Sequence, residues 1–272
     1  TMSLPMLGNG LLISMGDSKA ASFLMILGTV VNTMLDPIMI FGFLGCPAMG
    51  MSGAALATVI SQAISAITIL VLLHRRHRLL ALHGWTFLNW LGSCRRILGF
   101  AIPSILTMML MPISAGIITK ILSWSGHAAV AAASAAGRLE MFSFVIPMAL
   151  GMSLTPFVSQ NFGAARLDRI RQARHVSTRF ALAYGGLAAV VFYVSAPWMA
   201  SLFSEDPEVI SIMVTYIRIV SFGWGMMEVH RYSGFFLTGL HQPIQTTLLN
   251  VTRVLVFLVP LSYLGWCVFG LT

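Results

Sequence analysis

Charge is scarce in this chain. Only 9% of its 272 residues are charged, and only eight are acidic. An average soluble domain is about 25% charged, so an ordinary soluble globular domain is excluded. Cysteine is scarcer still. Cys46, Cys94 and Cys267 have no metal-ligand spacing, and an odd count excludes a fully paired disulfide framework. They read as small apolar residues. No HExxH, CxxC or P-loop pattern occurs, which removes the commonest metal, redox and nucleotide-hydrolysis signatures. What remains is apolar: 57% of the residues are hydrophobic. A polytopic membrane protein is the class that fits.

The apolar runs set the spans. A bilayer crossing needs roughly 20 apolar residues. On that measure a partial helix lies at about 1–15, and spans lie at about 20–44, 53–73, 97–122, 128–160, 176–203, 209–238 and 244–266. Pro147 and Pro156 predict a kink in the long 128–160 segment. The first residues, Thr1 to Pro5, carry no basic n-region or cleavage site. The chain starts and stops inside apolar runs, so a piece of a longer chain is expected.

The loops alternate in charge. One set holds Asp17 and Lys19; Arg75, Arg76, Arg78, Arg95 and Arg96; Arg166, Arg169, Arg171 and Arg174; and His241. The other set holds Glu205, Asp206 and Glu208 and contains no Lys or Arg. The net charge of +8 is therefore a topology signal rather than a nucleic-acid patch. The basic set, including loops 74–96 and 163–175, is expected in the cytoplasm. Leu79 to Leu82 with Trp85, Phe87 and Trp90 predict an interfacial amphipathic linker within 74–96. That linker divides a first bundle (1–73) from a second (97–272). A faint repeat supports two similar bundles: Gly16, Pro37 and Gly42 recur at the same spacing as Gly239, Pro260 and Gly265.

Asp36 is the only ionisable residue between Ala20 and Leu44. A carboxylate in a bilayer costs on the order of 3 kcal/mol or more and usually marks an ion or substrate path. Asn32 lies four residues before it, on the same helix face. Pro37 has no N–H to donate, which frees carbonyl oxygen in the preceding turn. Carboxylate, amide and carbonyl oxygens suit Na⁺ or a proton-exchanging site. The next span is rich in small residues, allowing close approach, and offers Thr58, Ser61 and Gln62. The bland alternative is an Asp bonded to a neighbouring helix for packing alone.

Elsewhere, Glu140 falls near mid-membrane depth, about 18 Å from its outer span end at the helical rise. It reads equally as a second cation-attracting group or as the neutralising partner of an Arg such as Arg138, Arg218 or Arg253. Glu140 and Arg253 together form a candidate charge site. Glu228 and Arg231 read as an interfacial i,i+3 ion pair near the end of their span, beside His230. Met108, Met109 and Met111 before Pro112 could line an adaptable cavity, although Met and Phe are also ordinary core and lipid-facing residues. Gly50-Met51-Ser52-Gly53 matches the Gly-x-Ser-Gly pattern of rhomboid proteases, but Ser52 falls at the outer start of a span and His127 is the only outer-side His. No enzyme is expected.

"GDSKAASFLMILGTVVNTMLDPIMIFG", "GMSGAALATVISQ" and "AGRLEMFSFVIPMALGMSLTPFVSQNFGAARLDR" resemble the fifth, sixth and eighth helices of the multidrug and toxic compound extrusion (MATE) transporters. The resemblance implies an all-α membrane protein of twelve helices in two lobes. This chain would run from the end of the fourth helix to about the eleventh. It implies antiport of cationic or amphipathic compounds against Na⁺ or H⁺, by a monomer in the inner membrane that needs no cofactor beyond the coupling ion. Asp36, Asn32 and Thr58 would form the cation site of the first lobe, and Met108 and Met111 would contribute to the substrate cavity. Some members add an acid on the first helix, which is not in this chain, and the site would then be incomplete here. A lipid-linked oligosaccharide flippase of the same superfamily is the alternative.

Overall fold

A computed structural model describes residues 3–45, 47–76 and 87–269. Every regular element among them is helical. Two compact units result, residues 1–89 and 90–272. Six helices are long and apolar enough to cross a membrane, and a bent pair makes a seventh span. The seven agree with the spans expected from the apolar runs. Large apolar side chains stay open at their surfaces, as lipid-facing helices require: Met51 is 91% exposed and Met6 75%.

In the first unit, α1 (Ser3–Ser14), α2 (Ser18–Phe41) and α3 (Gly50–Arg75) pack together. Leu12, Ala21, Leu24, Ile69 and Leu73 form their shared core. Asp17 caps α2 by accepting from the Ala20 N–H and pairs with Arg76 at 3.3 Å. Small residues then let α2 and α3 run in close contact. A Cβ on Gly28 would meet Ser65 Oγ at 2.6 Å, and one on Gly53 would collide with the Met39 carbonyl. Gly42, at φ 77°, ends α2 in the left-handed conformation that glycine adopts without strain.

Expectations about the linker meet the structure only in part. Residues 77–86 lie outside the described set. From Phe87 the chain is already α4 (Phe87–Ser123), so 87–96 are the first turns of a 37-residue helix rather than a separate surface segment.

In the second unit, α7 (Leu167–Ser201) is the spine. One half packs on α5 (His127–Ser143) and α8 (Pro207–Val220), around Ala132, Ala136, Phe192, Ala196 and Met213. The other half packs on α6 (Val145–Gly163) and α9 (Trp224–Gly239), around Leu154, Val158, Ala181, Tyr232 and Phe236. Between these cores α7 and α9 touch backbone to backbone: a Cβ on Gly185 would collide with Gly225. The unit closes with α10 (Pro243–Val251) and α11 (Val259–Phe269).

Candidate functional site

The Asp36 region is built by a straight helix. Asn32 Nδ2 donates to Asp36 Oδ1 at 3.4 Å, so the expected helix-face pair exists. Both residues are half-buried. Pro37 cannot donate to the Thr33 carbonyl four residues back, yet α2 continues through it to Phe41. An acceptor oxygen is thereby spared beside the Asn32 and Asp36 oxygens. Thr58 is not bonded into this group, because its hydroxyl donates to the Ala54 carbonyl of its own helix at 2.9 Å. The pairs Asp17–Arg76, Gly28–Ser65 and Met39–Gly53 fix one antiparallel register. In that register Ala57, fully buried, is level with Asp36, and Thr58 is one residue further. Ser61, whose hydroxyl donates to the Thr58 carbonyl, is level with Asn32.

The second unit is organised by interruptions. The span expected at 128–160 is broken by 56° between α5 and α6, at Phe144, three residues before Pro147. Pro147 sits in the first turn of α6, where a missing N–H is tolerated. Its effect falls on Ser143, whose carbonyl has lost its i+4 donor. The Tyr184 hydroxyl donates there instead, at 2.8 Å, and the Tyr232 hydroxyl donates to the Pro147 carbonyl at 2.9 Å. A 3₁₀ turn at Ser221–Gly223 interrupts the next span, between α8 and α9. A π-helical segment, Thr252–Leu258, does the same between α10 and α11. Such interruptions cluster at functional sites.

The ionisable side chains of this unit gather beside the breaks. Glu140 is not paired with Arg253, and the structure places the two in separate clusters. Tyr216 and Trp224 turn their O–H and N–H towards Glu140. Strict hydrogen-bond geometry is not reached, and Glu140 Oε1 stays without a partner. Tyr216 also lines a cavity of about 470 Å³ with Ala115, Thr119, Val130, Ser134 and Trp266, a lining with no charged residue. Met108 and Met111 lie on the open face of α4, 70% and 66% exposed, and do not line this cavity.

Glu228 and Arg231 are bonded as their spacing predicts, at 3.0 Å. The pair is also covered by neighbouring helices on its acidic side. Glu228 is 1% exposed, and the Arg231 guanidinium sits 4.9 Å over the Phe144 ring at the α5–α6 break. Arg218 has a structural post: its Nε donates to the Tyr193 carbonyl at 3.3 Å. That carbonyl lost its usual donor to Pro197. Arg138 is exposed on α5. Sequence reasoning missed Tyr184, Tyr216, Trp224 and Tyr232. The Ser143–Pro147 spacing foretells an orphaned carbonyl but not the distant tyrosine that meets it.

Six helices long and apolar enough to cross a membrane, with one bent pair beside them, define a polytopic membrane protein. The MatE family model matches residues 103–264. The chain is 32% identical over 262 residues to a FAD transporter of Shewanella oneidensis, covering 96% of this chain and 58% of that one. It is 28% identical to a probable multidrug resistance protein, YoeA, of Bacillus subtilis, covering 76% and 47%. A point variant of the Vibrio cholerae MATE transporter VcmN superposes with a TM-score of 0.86 at 29% identity, covering 96% and 58%. The chain belongs to the MATE family. It spans about half the length of these relatives. They are transporters and not enzymes, and the Ser52 hydroxyl, donated to the Met49 carbonyl, has no catalytic setting. Membership makes this a multi-pass protein of what is, in bacteria, the inner membrane.

Proposed function

We propose that this chain is part of a secondary active exporter in which Na⁺ or H⁺ binding at Asp36 drives the conformational exchange. The observation that carries this reading is the Asn32–Asp36 pair inside a continuous apolar helix, beside the carbonyl that Pro37 leaves without a donor. A carboxylate so placed has a different free energy empty and occupied. An ion that binds this carboxylate more tightly in one state than in the other biases the equilibrium between outward- and inward-facing states, and an exported compound with unequal affinity for those states is moved. The coupling ion is the only cofactor required. Small-molecule substrate and membrane lipids are the partners, the protein acts as a monomer, and loops 74–96 and 163–175 face the cytoplasm. Thr58 joins the site only if its side chain rotates away from Ala54.

Two substrate classes are supported. Cationic amphipaths follow from the multidrug relatives and from the exposed Met108 and Met111. A specific observation favours a second class, anionic and phosphate-bearing. Among the described residues Arg253 has no acidic partner and its Nε has no hydrogen-bond partner, and the Shewanella relative is called a FAD transporter. The uncharged lining of the Tyr216 cavity gives no support to an oligosaccharide-lipid flippase.

The test is efflux from cells expressing the full-length parent or its Asp36→Asn form, under imposed Na⁺ or pH gradients. Gradient-driven efflux should fall to background in the variant. Efflux that stays gradient-driven would remove Asp36 from coupling.

A further inference from the structure

The cluster around Arg253 has a surplus of positive charge. Arg253 stands on the π-helical segment, ten residues into its span and so about 15 Å along the helix from Pro243. His230 lies against the Leu249 carbonyl, within electrostatic range of both Arg253 and Arg231. Arg231 in turn acts on Arg253. Among the described residues Glu228 is the only acid at this cluster, and it is ion-paired with Arg231. Within residues 90–272 the other acids are elsewhere: Glu140 against Tyr216 and Trp224, Asp168 in the first turn of α7, Glu205, Asp206 and Glu208 around the start of α8. Two guanidiniums thus face one carboxylate. One positive charge remains, and a second appears when His230 is protonated.

Such an arrangement is costly unless an anion completes it. An unpaired Arg within a bilayer is disfavoured by several kcal/mol. Arg253 Nε and His230 Nε2 are both shut off from solvent with no hydrogen-bond partner. A structural Arg of this unit is satisfied differently: Arg218 has the Tyr193 carbonyl and ring. Arg253 has neither. Its donors have the fork geometry that matches two oxygens of a phosphate, and His230, when protonated, supplies a further donor. Access exists, since the Arg231 side chain keeps 30% of its surface open beside Phe144. The cluster adjoins the π-helical segment of a continuous span and, through Arg231 over Phe144, the α5–α6 break, and irregular helical segments recur at functional sites.

We infer that Arg253 and His230, with the open side of Arg231, bind the phosphate group of an amphipathic anionic ligand. This rests on the export reading above. Glu228 has a defined part: it holds the Arg231 guanidinium towards Phe144 and keeps the empty site from carrying a larger net charge. A dinucleotide and an anionic lipid headgroup offer the same phosphate chemistry, and the experiment separates them.

The probes are flavin adenine dinucleotide, riboflavin and phosphatidylglycerol, with purified full-length parent in nanodiscs. Riboflavin has the ring system without phosphate. The variants are Arg253→Gln and, as a charge-retaining control, Arg253→Lys. Their thermal unfolding is measured alongside, so that misfolding is seen as such. The dinucleotide should bind more tightly than riboflavin, and Arg253→Gln should weaken it at least tenfold with riboflavin binding unchanged. Arg253→Lys should lie between. If phosphatidylglycerol nanodiscs alone show Arg253-dependent competition, the site stands and its phosphate comes from lipid. If neither phosphate ligand responds to residue 253, the site is refuted. Gradient-driven, Asp36-dependent efflux that persists in that case leaves the export reading intact.

Discussion

The two units treat proline and charge in opposite ways. In the first, α2 passes through Pro37 without a break and holds one half-buried carboxylate bonded to a neighbour on its own face. In the second, one span is bent by 56° and two continuous spans carry a 3₁₀ turn or a π-helical segment, and Glu140, Glu228, His230, Arg231 and Arg253 gather near these irregularities. Proline alone does not decide where a span breaks. Pro103, Pro112, Pro156 and Pro197 also lie inside continuous helices. The break at Phe144 occurs where Tyr184 and Tyr232 arrive from α7 and α9 to satisfy carbonyls of the bent chain. A spanning helix can be opened only where another side chain or an ion supplies the lost hydrogen bond. At Pro37 no such side chain is bonded to Thr33 among the described residues.

The comparison can be broken at several strengths. Arg231→Gln has the largest expected effect on stability. It strands Glu228, 1% exposed, and should cost about 3–5 kcal/mol in the thermal unfolding of the full-length parent. Adding Glu228→Gln should recover most of that loss. If the single variant is as stable as wild type, the buried pair is not what holds the α9 cluster. Next comes Gly53→Ala, whose Cβ would strike the Met39 carbonyl. Overpacking at this α2–α3 contact should cost roughly 1–3 kcal/mol. Gly265→Ala is its control, since nothing lies within 4 Å of a Cβ there. It should be neutral or stabilising by up to about 1 kcal/mol from helix propensity. Equal effects at the two glycines would deny the close helix approach. Smallest is Tyr184→Phe, which removes the donor to Ser143 and should cost about 1 kcal/mol. A larger loss of backbone protection by hydrogen exchange at 141–148 than at 33–40 would locate the effect at the break.

Much of this was legible in the chain. Span number followed from length and hydropathy, and α2, expected over 20–44, runs Ser18–Phe41. The Asn32–Asp36 pair followed from helical periodicity, which is a local property. The α5–α6 break was foreshadowed by Pro147, but the irregular segments at Ser221–Gly223 and Thr252–Leu258 contain no proline and were not, and the tyrosines at the α5–α6 break lie 41 and 85 residues from the carbonyls they meet. The burial of Glu228 was not legible, because distance along a span says nothing of the cover provided by neighbouring helices. The spaced repeat also weakens on inspection. Gly42 ends α2 at positive φ, but Gly265 lies within α11, and His241 rather than Gly239 takes the left-handed turn after α9. Matching spacing preserved the span length, while the capping chemistry moved by two residues.

The central claim is a division of labour, with ion coupling at Asp36 and substrate charge at Arg253. Its most direct test uses the full-length parent in proteoliposomes, with the exported compound identified by the efflux assay. Binding of that compound and its response to an imposed Na⁺ or pH gradient are measured for Asp36→Asn. The account predicts that binding persists within about twofold while the response to the gradient is lost. Lost binding with an intact gradient response would contradict it.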